Sequence, residues 1–167
     1  MFENLQLKAT KRGYAENAVG SRRYLVGLKS ETEYIRFEAL RQAVNSPVQS
    51  TAADITYRAA TALDRALDKA GLRAGLEMEI HDDLTVESHF EDVHSVITLG
   101  RTCMEGIKVE CCPQMVFEVE AKVGAHFGSD RKVTGDLMEV AKNNPRALYS
   151  LCRKDLHKNP SFYAPTK

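Results

Sequence analysis

The chain has 167 residues, of which 43% are hydrophobic and 28% charged, and its formal net charge at pH 7 is zero. This length and composition are typical of one soluble globular domain with a single core. No apolar run has the length needed to cross a bilayer, and the charged N-terminus lacks the pattern of a secretory signal. We therefore expect a cytoplasmic protein. The net charge is +3 over residues 1–45, −7 over residues 46–128 and +4 over residues 129–167. An acidic middle between basic flanks suits a protein that holds a polyanion beside a cation, but solvated helix faces give the same pattern.

The first 24 residues predict a short helix followed by a hairpin. Apolar side chains recur at helical spacing over residues 2–12, and Gly13 then stops the pattern, as glycine commonly does after a helix. Two short runs on either side of residues 17–21 predict a β-hairpin, whose return limb carries two arginines.

A long helical segment follows from Ser30, which forms a capping-box pattern with Glu33 three residues later. Its predicted buried stripe comprises Phe37, Leu40 and Val44. Pro47 either kinks this helix or opens a second helix at its first position. Beyond the proline, alanine and leucine recur at spacings of three and four until Gly71, which predicts close helix packing.

The middle of the chain predicts a tight hairpin with an acidic tip. Residues 76–81 and 84–88 are short strand-like runs, and Asp82 and Asp83 between them predict a two-residue turn. Residues 90–106 predict a helix, and residues 116–123 predict a strand. This order predicts an α+β fold in which long helices pack on a small antiparallel sheet.

A basic, helical C-terminal extension is predicted after residue 128. Helices are expected over residues 136–142 and 145–154, the second capped by Asn144, and residues 157–167 are expected to be frayed or extended. We therefore predict two parts, residues 1–128 and residues 129–167.

The cysteines show no CxxC spacing, so they predict buried or half-buried thiols and not a metal or redox site. They are Cys103, Cys111, Cys112 and Cys152.

The acidic turn is the first candidate for chemistry. Carboxylates at adjacent positions can converge on one divalent ion, and Mg²⁺ prefers such oxygen ligands together with water and substrate phosphates. Phosphoryl transfer commonly uses ions held in this way. The alternative is that Asp82 and Asp83 are ordinary solvated turn residues.

A polar stripe on the long helix is the second candidate. Arg41, Asn45 and Gln49 recur every four residues, so they share one face if the helix persists through Pro47. Their donors and acceptors suit contact with the minor groove of DNA without a particular sequence. The alternative is a solvated helix face.

Considered together, these segments resemble the C-terminal palm portion of the family A DNA polymerases. "RQAVNSPVQSTAADI" and "EIHDDLTVES" are similar to the Arg, Asn, Pro, Gln, Ala-Ala-Asp pattern of that family and to the His-Asp-Glu hairpin that follows it. "GYAENAVGSRRYL" upstream and "FEVEAKVGAHFG" downstream are also similar to family segments. The resemblance covers roughly residues 5–128, and ordered motifs at matching separation are more specific than any single one.

The resemblance implies DNA-directed DNA polymerase chemistry on primer-template DNA and a dNTP, with Mg²⁺ as cofactor. Asp82 stands at the metal-binding palm aspartate and Asp83 at the adjacent acidic position. His81 matches a histidine near the primer end, so these three residues form the implied catalytic group. The implied contacts to primer and template are Arg41, Asn45, Gln49 and His81.

Several positions depart from the family pattern. Asp83 replaces the usual glutamate, and the other departures are Val26 for proline, Ser50 for glycine, Glu79 for glutamine and Phe127 for tryptophan. The Asp-Tyr-Ser-Gln-x-Glu motif and the nucleotide-binding fingers helix do not occur in the sequence. We therefore expect the isolated chain to be inactive and to need a companion polypeptide that carries the missing motifs.

Two other interpretations compete with that of a polymerase divided between this chain and a companion polypeptide. The chain could be a non-catalytic DNA-binding or protein-interaction module derived from a polymerase, with the basic extension as its docking element. It could also be an unrelated α+β domain that matches these motifs by chance.

Overall fold

The computed structural model describes residues 2–110, 112–127 and 130–156. In this part of the chain, consecutive strands pair into three separate two-stranded ribbons. The predicted α+β class is confirmed, although the single small sheet is replaced by these ribbons. In chain order the elements are α1 (Phe2–Arg12), β1 (Tyr14–Glu16), β2 (Arg22–Tyr24), a 3-10 helix (Val26–Lys29), α2 (Glu33–Ala70), β3 (Ala74–Ile80), β4 (Asp83–Ser88), α3 (Val93–Glu105), β5 (Lys122–Val123), β6 (Arg131–Lys132), α4 (Gly135–Asn143) and α5 (Pro145–Leu156).

The described residues fall into two compact units with separate buried clusters, so the expectation of a single core is wrong. The first lies within Met1–Ala59, Ile80–Asp83 and Ile107–Met115, and the second within Ala60–Glu79, Leu84–Gly106 and Val116–Lys167. Helix α2 contributes residues to both units. None of the helices in the described part is long and apolar enough to span a membrane. The division predicted after residue 128 stays a prediction.

Small side chains form the core of the first unit. Its buried cluster comprises Ala9, Ala15, Leu25, Leu28, Ala39 and Ala43. Alanine side chains from α1, the first hairpin and α2 meet in this core. The predicted buried stripe of α2 is wrong at Phe37, which is 61% exposed. The buried side of the helix lies two residues further along, at Ala39 and Ala43.

Helix α2 begins at Glu33, and Thr32 occupies the capping position, so the predicted cap at Ser30 is wrong by two residues. The Ser30 hydroxyl instead accepts a hydrogen bond from the Thr32 N–H at 3.2 Å, in the turn after the 3-10 helix. That helix packs closely on α2, because a Cβ at Gly27 would lie 3.1 Å from an Ile35 side-chain carbon. Tertiary packing thus uses residues 26–30 differently from the local capping pattern.

Pro47 lies inside one continuous helix of 38 residues, so the predicted alternative of a second helix at this position is wrong. The proline ring removes one backbone donor from the helical ladder. In the next turn, the hydroxyl of Ser50 donates to the Ser46 carbonyl at 2.7 Å, and that of Thr51 donates to the Pro47 carbonyl at 2.6 Å. The continuity matters because it fixes the angular relation of side chains before and after the proline.

The core of the second unit joins the end of α2 to the β3–β4 ribbon and α3. Its buried members are Leu63, Leu67 and Val96, and the partly buried residues packed on them are Leu72, Ala74, Leu84, Val86, Leu99 and Cys103. An ion-pair cluster fastens the start of β3 to the segment before α3. There Arg73 donates to Asp92 at 2.8 Å and to Glu91 at 2.9 Å, which holds the pKa of the Asp92 carboxyl below its usual range.

The strand predicted over residues 116–123 is wrong except at Lys122–Val123. These two residues pair with Arg131–Lys132, and no other described strand runs alongside residues 116–121. The backbone there makes irregular bonds instead, such as the Val119 N–H donating to Glu105 Oε1 at 3.4 Å. Alternation of side chains alone does not make a strand when the partner strand is short.

The helical extension forms as predicted, and its buried side chains share a core with residues of α3 and β5. Helices α4 and α5 bury Ala141, Leu148 and Cys152 against partly buried side chains of the second unit: Val93, Val123, Ala125, Leu137 and Val140. The side chain of Asn144 accepts a hydrogen bond from the Ala147 N–H at 3.1 Å, so it caps α5 as predicted. The prediction for residues 157–167 lies outside the described residues.

The predicted thiol character of the cysteines holds where it is described. Cys103 and Cys112 are half-buried and Cys152 is buried, whereas Cys111 lies outside the described residues. Burial raises the pKa of the Cys103 thiol, which keeps it protonated and unreactive at neutral pH.

Candidate metal and nucleic-acid site

The tip of the β3–β4 hairpin differs by one residue from the prediction. Strand β3 ends at Ile80 and β4 begins at Asp83, so the connecting residues are His81 and Asp82. His81 has a φ of 60°, in the left-handed region. Two-residue hairpins require such a conformation because its twist matches that of the strands. A non-glycine residue there carries strain that the surrounding ribbon must hold.

The tip presents two adjacent carboxylates to solvent. Asp82 lies in the turn and Asp83 opens the return strand, and both are exposed, as is His81. Within the described part of the chain, no three His, Cys, Asp or Glu side chains come together as a metal cluster. The tip therefore supplies two carboxylate groups as hard oxygen ligands. This donor set fits Mg²⁺, which retains several waters and takes its remaining ligands from phosphate.

The predicted polar stripe occurs on α2 as an exposed ridge, which we call the donor ridge. Arg41, Asn45 and Gln49 are all exposed, and the helix that carries them is continuous through Pro47. At a rise of about 1.5 Å per residue, the ridge extends over about 12 Å. It offers amide and guanidinium donors along an inclined row on the helix surface, which suits contact with a nucleic-acid groove.

Arg41 of the donor ridge is already engaged within the helix. Its guanidinium donates two hydrogen bonds to Glu38, at 2.9 and 3.0 Å, while its side chain stays 70% exposed. The pair holds the pKa of the Glu38 carboxyl below its usual range. A phosphate that approaches this part of the ridge must therefore compete with Glu38 for the arginine.

The turn of the first hairpin is fastened to α2 next to the ridge, and this clamp was missed by sequence reasoning. Asn17 is 7% exposed. Its side-chain amide donates to Asp54 Oδ2 at 2.6 Å, and the Ser21 hydroxyl donates to the same oxygen at 2.8 Å. The Ala18 N–H donates to the Thr51 hydroxyl at 3.1 Å.

The clamp links residues more than thirty positions apart in the sequence. A turn-type asparagine and an aspartate on a helix were visible separately, but no local pattern pairs them. The hairpin held by the clamp carries Arg22 and Arg23, both exposed. Arg22 Nε forms an ion pair with Glu16 Oε2 at 3.1 Å, and the guanidinium carbon of Arg22 lies 4.9 Å from the centre of the Tyr14 ring. The clamp thus places two further cations in the first unit.

We expect the clamp to stabilise the fold at neutral pH and to weaken in acid. Hydrogen bonds from Asn17 and Ser21 hold the pKa of the Asp54 carboxyl below its usual range. Because the unfolded chain has the ordinary value of about 3.9, ionised Asp54 favours the fold above that pH, and the benefit is lost as the pH falls through the lower folded value. In urea unfolding, Asp54→Asn should cost stability at neutral pH and progressively less below about pH 4.

Asp64→Asn, an exposed carboxylate on the same helix, is the matched control for this measurement. Its stability should follow the wild-type pH curve. A constant difference between the wild-type chain and Asp54→Asn at every pH would show that Asp54 does not act through its charge.

All the residues of the candidate site lie in one compact unit. The donor ridge belongs to residues 1–59 of the first unit, and the hairpin tip forms its second segment, Ile80–Asp83. The catalytic and binding roles expected from the sequence stay predictions at each of these residues. The unit as a whole combines an acidic tip, a donor ridge and a clamped basic hairpin.

Comparison with known proteins identifies the family. The sequence model of DNA polymerase family A matches residues 1–129. DNA polymerase I of Pseudomonas aeruginosa is 35% identical over 126 residues, which are 75% of this chain and 14% of that protein. The thermostable DNA polymerase I of Thermus aquaticus is 36% identical over 122 residues, which are 73% of this chain and 14% of that protein.

A solved structure agrees with these relatives. The POL domain of Pol1 from M. smegmatis, in complex with DNA primer-template and dNTP, matches with a TM-score of 0.61 and 34% identity over 63% of this chain and 18% of that chain. The chain thus spans a small fraction of the length of the proteins it matches. The matched residues include the hairpin tip, the donor ridge and the clamp. The chain belongs to DNA polymerase family A.

Proposed function

We propose that the chain is the C-terminal palm part of a DNA-directed DNA polymerase. The observation that carries the proposal is that the acidic hairpin tip and the exposed donor ridge occur in one compact unit of a family A chain. Neither feature alone is specific, because acidic turns and polar helix faces are common. Their combination matches the two requirements of nucleotidyl transfer, which are a cation held near phosphate and a duplex held in register.

In this proposal the hairpin tip holds Mg²⁺ through Asp82, with Asp83 as the adjacent carboxylate. When bound, the ion stabilises negative charge on the phosphate oxygens. The 3′ hydroxyl of the primer loses its proton to water, its oxygen bonds to the α-phosphorus of the dNTP, and the bond from that phosphorus to the bridging oxygen breaks as pyrophosphate leaves. His81, next to these carboxylates in the turn, lies beside the primer end.

The donor ridge holds the duplex in the same proposal. Asn45 and Gln49 donate to minor-groove acceptors, which are similar for all base pairs, so they bind DNA without selecting a sequence. Arg41 adds a charged donor once it exchanges Glu38 for a nucleic-acid acceptor. Such positioning accounts for much of the rate in phosphoryl transfer.

A companion polypeptide belongs to the proposal because the site is incomplete. The sequence lacks the second palm aspartate motif and the fingers helix that clamps the triphosphate. Phosphoryl transfer commonly uses two metal ions, and these ions and the triphosphate must be positioned together. Two carboxylates at the hairpin tip therefore do not replace the missing motifs. We infer that the complete site forms between this chain and a segment carrying those motifs.

Mixing tests this proposal directly. The purified chain alone should not extend a primer, and neither should a companion that carries only the missing palm and fingers motifs. The mixture should extend the primer with dNTP and Mg²⁺. Two results would overturn the proposal that the site forms between two polypeptides. One is that no mixture with a well-folded companion extends the primer, and the other is full extension by the chain alone.

A second candidate function is a non-catalytic nucleic-acid-binding module. The small donor set of the hairpin tip, with no third described ligand group, favours it. It predicts a salt-dependent DNA affinity that changes neither with Mg²⁺ nor with Asp82→Asn. The polymerase proposal requires Mg²⁺ and Asp82 for activity in the mixture.

A further inference from the structure

Helix α5 presents a basic face to solvent. Its exposed described residues recur at spacings of three and four, which places them on one side of the helix. We call this surface the α5 basic face, and it comprises Arg146, Tyr149, Ser150, Arg153 and Lys154. The opposite side of the helix carries Leu148 and Cys152, which are 3% exposed and pack into the core of the extension.

The charges of this face are of one sign. It holds three cations, and residues 145–154 contain no acidic side chain. Neither Arg146 nor Lys154 forms an ion pair with another described residue. Residues 129–167 as a whole carry a charge of +4. A polyanion is therefore the chemically complementary ligand.

An aromatic side chain at the centre of the face is held in place from behind. The Tyr149 ring is 43% exposed and lies 5.5 Å from the Phe90 ring, which in turn lies 4.5 Å from His89. The Arg153 guanidinium lies 5.8 Å from the centre of the Tyr149 ring. These contacts restrict both side chains before any ligand arrives, and such restriction lowers the entropy cost of binding.

The burial pattern distinguishes a nucleic acid from a membrane surface. A helix that binds lipid must insert an apolar face into the acyl boundary. In α5 that face is already occupied, because Leu148 and Cys152 are in the protein core. Cations spaced along an exposed helix with an aromatic ring among them are instead typical of sites that follow a nucleic-acid backbone.

We propose that the α5 basic face is a second nucleic-acid contact, which binds the sugar-phosphate backbone through Arg146, Arg153 and Lys154 while Tyr149 packs against a sugar or base. The choice of DNA as the polyanion rests on the proposed function. The surface itself lies beyond residue 129, where the family match ends. The extension thus adds a contact that the matched region does not supply.

Charge reversal tests the α5 basic face. A primer-template duplex with a single-stranded overhang is titrated with the chain by fluorescence anisotropy, in EDTA so that no cation bridges the partners. Arg146→Glu combined with Arg153→Glu should weaken binding about tenfold or more near 50 mM salt. The slope of log affinity against log salt is negative, and its magnitude should decrease by about 2. The reason is that two phosphate contacts are lost and each contact releases about 0.9 counterion.

The matched control is Arg65→Glu combined with Lys69→Glu, two exposed cations one turn apart on α2. It makes the same change in net charge and should change the affinity less than twofold. Tyr149→Ala should weaken binding about threefold to tenfold, as loss of one stacking contact does, whereas Tyr149→Phe should not. Circular dichroism checks that α5 persists, and glutamine replacements serve if the glutamate variant unfolds.

Several outcomes would overturn the inference. They are an unchanged affinity in the α5 variant, an equal loss in the control pair, or a loss of binding to vesicles with about 30% phosphatidylserine while DNA binding is unaffected. Failure of the α5 contact can be distinguished from failure of the proposed polymerase function. Asp82→Asn leaves this Mg²⁺-free binding intact, and a failed α5 contact leaves extension by the mixture in place.

Discussion

Replacing Asp82 with asparagine should reduce primer extension by the mixed polypeptides at least about 10³-fold, because a preorganised charge at the reacting phosphate supplies several kcal/mol of transition-state stabilisation. Asparagine keeps the shape of the side chain but removes the negative charge that attracts the ion. Since Asp82 is exposed in the turn, the substitution should leave the fold unchanged. The measurement is single-turnover extension of a labelled primer with saturating companion.

Two further variants make this expectation specific. Asp83→Glu restores the length of the usual family residue and should retain or increase the rate. Glu77→Gln removes an exposed carboxylate from strand β3 of the same hairpin and should have little effect. An Asp82→Asn mixture that extends primers at the unmodified rate would rule out the hairpin tip as the metal site.

Changing the donor ridge should have the next largest effect. In the double variant Asn45→Asp and Gln49→Glu, two amide donors become acidic groups that repel minor-groove acceptors. Each lost hydrogen bond of this kind costs about 1 kcal/mol, so the loss of two should lower the duplex affinity about 30-fold. The steady-state rate of the mixture should fall at low primer-template concentration and recover in part at saturation. Fluorescence anisotropy at equilibrium measures the duplex affinity, and primer-extension kinetics measure the steady-state rate.

The control for the ridge is a pair of amides of the same kind elsewhere in the chain. Gln114→Glu with Asn4→Asp introduces the same charge at exposed positions. It should weaken binding only slightly and in a salt-dependent way. If both double variants lose affinity equally, the ridge has no special role and net charge alone determines DNA binding.

Much of the fold was predictable because it follows from local rules. Helix α1 ends at Arg12 with Gly13 in the left-handed conformation, and α5 begins at Pro145 under an Asn144 cap. In both cases the signal and the structure lie within a few residues. The predictions failed where distant segments decide the outcome. Phe37 is exposed because α2 enters the core through Ala39 and Ala43, and residues 116–121 are irregular because no described strand runs alongside them.

The candidate site shows the same distinction between local and distant information. Each residue type was visible in the sequence, and the spacing of the donor ridge was correct because α2 stays helical through Pro47. The turn moved to His81 and Asp82 because hairpin register depends on how the flanking strands pair. The link between Asn17 and Asp54 was not predictable, since its partners are 37 residues apart.

The most direct test of the central claim is a manganese titration of the isotope-labelled chain bound to a duplex, followed by NMR. We predict that paramagnetic broadening centres on the amides of Asp82 and Asp83, while the duplex shifts the side-chain amide signals of Asn45 and Gln49 in the same complex. Asp82→Asn should remove the broadening and leave the duplex-induced shifts. Broadening centred elsewhere with a sharp hairpin tip, or a bound duplex that leaves both ridge amides unmoved, would contradict a joint site for cation and DNA.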